Sequence, residues 1–394
     1  MEIIIHDWLS LLLRWLHIIT GIAWIGASFF FIWLDLNLKR AKDTPDGVQG
    51  ETWMVHGGGF YHAQKWLVAP ENMPKTLHWF KYESYFTWLS GFALMAVIYY
   101  WGAETFLIDA GVMALSVPMA ISYSLAGLLV GWLSYNLLCH SPLGENTGTL
   151  ALSLFVLLVA AAWGYEQVFS ARAALVHVGA MIGTIMTANV FFIIIPNQTK
   201  VVAALKAGEN PDPALGKQAK QRSTHNNYLT LPVLLMMMSN HYPFIYSTGN
   251  NWLIAALVII LGGVIRDYFN AGHAGGTGAR VRWQWPLSGF LILILIWLTG
   301  GGAFMTKSDK ITSDARALEI VQTHCVTCHA SNPTSEFFDT APLDVTLENV
   351  AEMTMFASRI YAQTILSTAM PLGNESAMSQ DERDELRAWI DALD

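Results

Sequence analysis

The chain contains eight long apolar runs separated by polar loops, and this pattern most limits what it can fold into. A helix rises about 1.5 Å per residue and the hydrocarbon layer is about 30 Å thick, so about 20 mostly apolar residues make a span. The runs are Trp8–Leu34, Tyr85–Trp101, Val112–Leu133, Leu150–Phe169, Ala174–Ile195, Tyr228–Tyr246, Trp252–Tyr268 and Trp285–Met305. The sixth contains Asn240, His241 and Pro243, polar groups that must face protein or a cavity. Charged residues make up only 13% of the 394 and mean hydropathy is +0.38. One soluble domain, at about 25% charged, is therefore excluded. A net charge of −8 with no basic run excludes a nucleic-acid binder. Sixteen Trp and 13 Tyr suit repeated membrane–water interfaces. The first run continues past the length of a signal peptide and shows no small-residue cleavage site, so it is expected to stay as a span.

Charge divides the chain. Residues 1–304 carry 16 Lys+Arg against 15 Asp+Glu, whereas residues 305–394 carry 6 against 15. A near-neutral membrane body, 1–305, is thus expected to join an acidic domain, 314–394, through a polar linker, 306–313. The basic residues cluster in alternate loops: Lys39 to Lys81, Lys200 to Arg222, and Arg280 with Arg282. The intervening connections hold Arg172 alone. The positive-inside rule then puts the N-terminus outside. An even number of spans puts the acidic tail outside too, which in a bacterial inner membrane is the periplasm. Loop 35–84 is long and aromatic-rich, whereas loop 196–227 reads as a solvated connection.

The tail contains Cys325-Val326-Thr327-Cys328-His329, the attachment signature of haem c. Two thiols about one helical turn apart meet the two vinyl groups, and the adjacent His becomes an iron ligand. Met370-Pro371 lies downstream, ahead of a helix opened by Ser379-Gln380-Asp381-Glu382. This order of helix, CxxCH, loop, Met-Pro and helix resembles class I cytochrome c. Cys325 and Cys328 are then the thioether positions, with His329 and Met370 as axial ligands. Met353, Met355 and Met378 are rivals to Met370. A zinc half-site would need two further ligands, and His324 with His329 lies too close to the Cys pair. A thioredoxin-type redox pair lacks its βαβ setting. With both axial positions filled, such a haem carries electrons and does not bind substrate.

Ionisable groups within spans are costly and mark functional sites. Arg14, His17 and Gly21 share one face of the first span by helical spacing. His17, His177 and His241 are the candidate ligands of a second, b-type haem held between helices. The alternative is that each is a histidine bonded to a neighbouring helix. A second set, His56, His62, His78, His140, His225 and His273, is expected at the cytoplasmic side; the first three lie in loop 35–84 with Phe60, Tyr61, Trp79 and Phe80, and a glycine run at 57–59 lets backbone N–H groups approach a ligand. Solvated interfacial histidines are the plain alternative there. Cys139 reads as a small buried residue.

Several stretches together resemble the bacterial membrane-bound, cytochrome c-dependent urate oxidase family. They are Arg14-Trp15-Leu16-His17-Ile18, Gly21 to Gly26, His56-Gly57-Gly58-Gly59-Phe60-Tyr61, Leu77 to Glu83, Thr87-Trp88-Leu89-Ser90-Gly91, and the Cys325–His329 and Met370-Pro371 pair. The resemblance covers essentially the whole chain. It implies an all-α protein, with an eight-span bundle followed by a class I cytochrome c domain. The activity it implies is oxidation of urate to 5-hydroxyisourate with water as oxygen source. Electrons would leave through haem c to a downstream cytochrome c or terminal oxidase. Urate is a planar monoanion near neutral pH, so its site needs a cation, aromatic faces and a base. Arg14 with His17 supplies cation and base on one helix face. Lys81 or Arg280 with His56, His62 or His78 supplies them at the cytoplasmic rim, which is the favoured location because more aromatics lie there. A rim site would require a relay such as haem b across the membrane. An electron-transfer subunit for a separate dehydrogenase and a transporter with a redox tail are the competing readings. The expected topology is checked by adding protease to spheroplasts, which should remove the last ninety or so residues and leave the body intact.

Overall fold

The computed structural model describes residues 2–70, 73–246, 249–300, 310–336, 338–365 and 369–393. Its body is built from α1 (Glu2–Asn37), α2 (Tyr82–Met95), α3 (Val117–His140), α4 (Thr147–Glu166), α5 (Ala171–Ala188), α6 (Ile195–Lys206), α7 (Pro213–Ser239), α8 (Pro243–Tyr246), α9 (Asn251–His273) and α10 (Gln284–Thr299). The tail contributes α11 (Asp314–His324), α12 (Val350–Met355), α13 (Ala357–Ile360) and α14 (Gln380–Asp391). Five described segments are long and apolar enough to cross a membrane: Ile4–Asn37, Val117–His140, Thr147–Glu166, Ala171–Lys206 and Asn251–His273. Helix α10 is apolar but shorter, and the expected extension of its span to Met305 lies outside the described residues. The second and sixth expected runs are also helical, as α2 and as the second half of α7. Pro243 breaks the sixth run, so α7 stops at Ser239 and the single turn α8 follows.

Polar residues set the helix starts. Asn146 accepts hydrogen bonds from the backbone N–H of Gly148 and Thr149, Ser170 from Ala173, Asp212 from Ala214 and Ser313 from Arg316. Between Ala188 and Ile195 a π-helical turn, Asn189–Ile194, joins α5 to α6 without a break. The expected solvated loop 196–227 is therefore mostly helix. Only residues 207–212 turn, because Pro213 starts α7 where its missing N–H costs nothing.

Loop 35–84 also departs from expectation. It folds back as an antiparallel hairpin, β1 (Val48–His56) with β2 (Gly59–Trp66), with His56 opposite Gly59. Gly57 and Gly58 form the two-residue turn at φ +58° and +80°. Both values lie in the left-handed region that glycine occupies without strain, and they match the turn that follows strand twist. The glycine run is accounted for by this reversal rather than by a ligand cradle. The molecule is mainly helical, with this hairpin as its one departure among the described residues.

Two cores form. In the body, α5 is central and buries most of its length, including Leu175, Val178, Met181, Ile182 and Ile185. In the tail, Ala317, Ile320 and Val321 of α11 pack with Leu386 and Trp389 of α14 and with Val345, Leu347, Met353 and Met378. The tail seats on the body at one place. Gly373, at φ +60°, lies against the carbonyls of Thr105, Glu104 and Ile108, so closely that a Cβ would come within 2.8 Å of the first. The Thr105 hydroxyl donates to Glu375 at 2.6 Å, and Ala369 packs on the body core. Asp309 of the expected linker lies outside the described residues.

Helix α14 opens with a full capping box: the Ser379 side chain accepts from Glu382 N–H and the Glu382 side chain from Ser379 N–H. Glu382 also faces Nε2 of His324 at 3.2 Å. The Ser379 backbone N–H, then the Ser379 hydroxyl and His324, hold the Glu382 carboxyl down at about 2, against an ordinary 4.5. A depressed carboxylate stabilises the fold above its unfolded pKa and loses that contribution as pH falls through the folded one. Limited proteolysis of the tail should therefore accelerate between pH 4.5 and about 2. Glu382→Gln should be more susceptible at neutral pH and show less of this acid dependence.

Candidate functional site

On α1 the structure brings His17 against α2. His17 Nδ1 lies 2.9 Å from the carbonyl oxygen of Thr87 and 3.3 Å from Ser90 Oγ. A carbonyl only accepts, so Nδ1 carries the proton and Nε2 keeps its lone pair, with no hydrogen bond. Gly91 makes room for the ring, since a Cβ there would lie 2.7 Å from His17 Cε1. Gly21, one turn along the same face, sits near Thr87.

Arg14, on the turn before His17, points to the break between α7 and α8. Its Nη1 lies 3.4 Å from His241 Nε2. From the start of α5, Arg172 donates through Nε to Asn240 Oδ1, which also accepts from the Tyr99 hydroxyl at 3.0 Å. The Arg172 guanidinium lies over the Phe106 ring, 5.1 Å from its centre, beside the turn on which the tail sits. Arg14 and Arg172 thus reach one locus from two helices, and neither forms an ion pair among the described residues.

His177 is fully buried and both its ring nitrogens are used. Nε2 lies 2.8 Å from Ser124 Oγ and Nδ1 2.7 Å from the Ala173 carbonyl. Tyr100 extends this chain through Ser124 at 2.8 Å. As placed, both His177 ring nitrogens are engaged within the bundle. His241 has its Nε2 engaged by Arg14.

The histidines of the expected rim site have separate surroundings. His62 pairs with Glu51 at 2.9 Å and stacks on Trp53 at 4.3 Å between ring centres. Hydrogen bonds from Gln64 above all, and from His62, hold the Glu51 carboxyl below the usual range. His78 packs edge-on against Phe80, and His56 is exposed at the hairpin turn. No contact among the described residues joins these three to one another, to Lys81 or to Arg280. His62 is used by its cross-strand neighbours and His78 by Phe80.

Two clusters inside the bundle lay outside the expected set. Arg222 on α7 is 2% exposed and donates to Asn136 and Asn189, with its guanidinium 4.9 Å from the centre of the Tyr135 ring. Arg266 on α9 is 5% exposed and donates to Asn227 and Asn270. The available signal was the tandem Asn226-Asn227 in an apolar helix, together with an arginine in the middle of α9.

In the tail, Cys325 and Cys328 are half-buried free thiols one turn apart. His329 Nδ1 lies 2.9 Å from the Val345 carbonyl, which leaves Nε2 as its lone-pair nitrogen. The Met370 carbonyl accepts from Arg383 at 2.9 Å, and Arg383 also donates to the Thr364 carbonyl. Met353 and Met378 are packed into the tail core and Met355 is 73% exposed, whereas Met370 is half-buried in the loop before α14. His324 has Ser376 and Glu382 on its two nitrogens. Two thiols, one free imidazole nitrogen and one available thioether fit a covalent haem.

Comparison with known proteins gives one family match: the urate oxidase N-terminal family covers residues 3–300. No curated protein and no solved structure matches the chain.

The fit of His17 against Gly91 predicts a coupled pair. Gly91→Val should lower the melting temperature of the detergent-solubilised protein, because the ring or the helix must move. Adding His17→Ala should recover part of the loss, with a coupling of about 0.5–3 kcal/mol in a double-mutant cycle.

Proposed function

The chain belongs to the urate oxidase N-terminal family, and from that premise we propose that it is a membrane urate:cytochrome c oxidoreductase of purine degradation. Urate and one water give 5-hydroxyisourate, two protons and two electrons. The observation that carries the reading is a urate oxidase-family body to which a CxxCH-bearing tail is directly docked. Cys325 and Cys328 would form the thioethers, and His329 Nε2 and Met370 Sδ the axial bonds. Val345 orients His329, and Arg383 fixes the Met370 backbone. When bound, haem c supplies a one-electron acceptor for each electron that leaves urate.

The proposed architecture is eight spans followed by a class I cytochrome c domain, in a bacterial inner membrane with both N-terminus and tail in the periplasm. Charge asymmetry supports it, and so does the geometry. His6 near the start of α1 lies 3.2 Å from the Val97 carbonyl, at the same end of the bundle as the turn that seats Gly373. His17, with Nε2 free, is the membrane residue best suited to hold a b-type haem. Arg14 and Arg172 make the region around it cationic. A downstream cytochrome c or terminal oxidase would receive the electrons.

The test uses membranes containing this chain alone, given urate without oxygen while haem c absorption is followed. Reduction by urate, to the extent reached with dithionite, is expected. Full reduction by dithionite with none by urate would leave an electron-transfer subunit or a transporter as the better reading.

A further inference from the structure

We propose that the urate anion is held at Arg266, in the inner half of the bundle between α1, α7, α9 and α10; this rests on the urate reading above. A guanidinium buried in an apolar bundle needs a counter-charge, because leaving it uncompensated costs several kcal/mol. Arg266 has none: its partners are the amide oxygens of Asn227, at 3.3 Å from both Nε and Nη2, and of Asn270, at 2.8 Å from Nη2. Neutral amides hold the fork in place without neutralising it. Its Nη1 donates to nothing. The one nearby carboxylate, Asp267, is used instead by the Tyr228 hydroxyl and by Gln284 Nε2.

Two buried amide atoms on the helices beside this cation have no partner among the described residues. Asn227 is fully buried, and because its Oδ1 serves Arg266 and Asn270, its Nδ2 is fixed as a donor and has no partner. Gln284 is 1% exposed, and its Oε1 has no partner while its Nε2 is taken by Asp267 and the Arg280 carbonyl. One amide donor and one amide acceptor, with the guanidinium, match a heterocyclic anion that presents carbonyl oxygens and ring N–H groups. The Arg266 guanidinium lies over the Phe29 ring, 4.1 Å from its centre, and this contact helps to fix the direction of the fork. Native interiors leave few buried polar atoms unpaired, and such a cluster next to an unneutralised cation marks a ligand position.

The test is equilibrium binding of urate, without oxygen, to the purified full-length protein and its variants, alongside inorganic phosphate as a second probe. Arg266→Met should weaken urate binding by about tenfold or more. Arg266→Lys should be intermediate, because it keeps the charge and loses the fork. Gln284→Leu should weaken urate while leaving dithionite reduction of haem c unchanged. If Arg266→Met does not fold, Arg266→Lys and Gln284→Leu carry the test. Equal urate affinity in wild type and all variants would overturn the assignment, as would displacement of urate by phosphate alone at equal concentration. Failure of urate to reduce haem c, with Arg266-dependent urate binding intact, would overturn the oxidoreductase reading and keep this site.

Discussion

Water is absent from the interior of an apolar bundle, so each polar group there has to find its partner within the protein. The rest of the structure is organised around that requirement. His177 is satisfied by Ser124 and the Ala173 carbonyl. Asn189 bridges the Tyr135 hydroxyl and Asn226, and Asn226 donates onward to the Met186 carbonyl. A buried polar group left alone costs about 1–3 kcal/mol, so these networks also fix how the helices are rotated about their axes. Against that background the few unmatched atoms among the described residues stand out; one is on Asn227, which holds Arg266, and another on Gln284, which holds the adjacent Asp267.

The two ends of the bundle differ. At one end, the start of α1, the turn after α2 and the Met370–Glu375 loop of the tail come together, and Gly373 allows backbone to meet backbone. Arg14 and Arg172 add positive charge there. Toward the other end, Arg222 and Arg266 lie inside amide-rich networks and the hairpin folds back beside α1, where Lys65 pairs with Asp35 at 2.7 Å. Under the proposed function, an anion held at the second end and an electron carrier at the first would require a path along the bundle. Phe29 and His17 stand on the same helix, about 18 Å apart by helical rise.

The hairpin shows how local chemistry can be read correctly and its purpose misread. The glycines at 57 and 58 were expected to leave backbone room for a ligand, and they do adopt left-handed conformations. The same freedom makes a two-residue strand reversal, and the alternation of β1 and β2 uses it for that. His56 and His62 are thereby committed to the turn and to the Glu51 pair, not to a common pocket.

Apolar run length, alternating loop charge and the CxxCH spacing are local quantities. They were enough to indicate a helical body with helices able to cross a membrane and an acidic tail carrying CxxCH, and they placed Arg14 and His17 on one helix face. Which side chains meet across helices depends on rotation and depth, and no local pattern encodes those. Only the packed structure separated His177, saturated by Ser124 and Ala173, from His17, held by Thr87 with one nitrogen free. Likewise only packing placed Asn227 and Phe29, from two different helices, against Arg266, and Gln284 against Asp267 beside it. Residues far apart in the chain come together through close packing and the demand that buried polar atoms be paired, and both act in three dimensions.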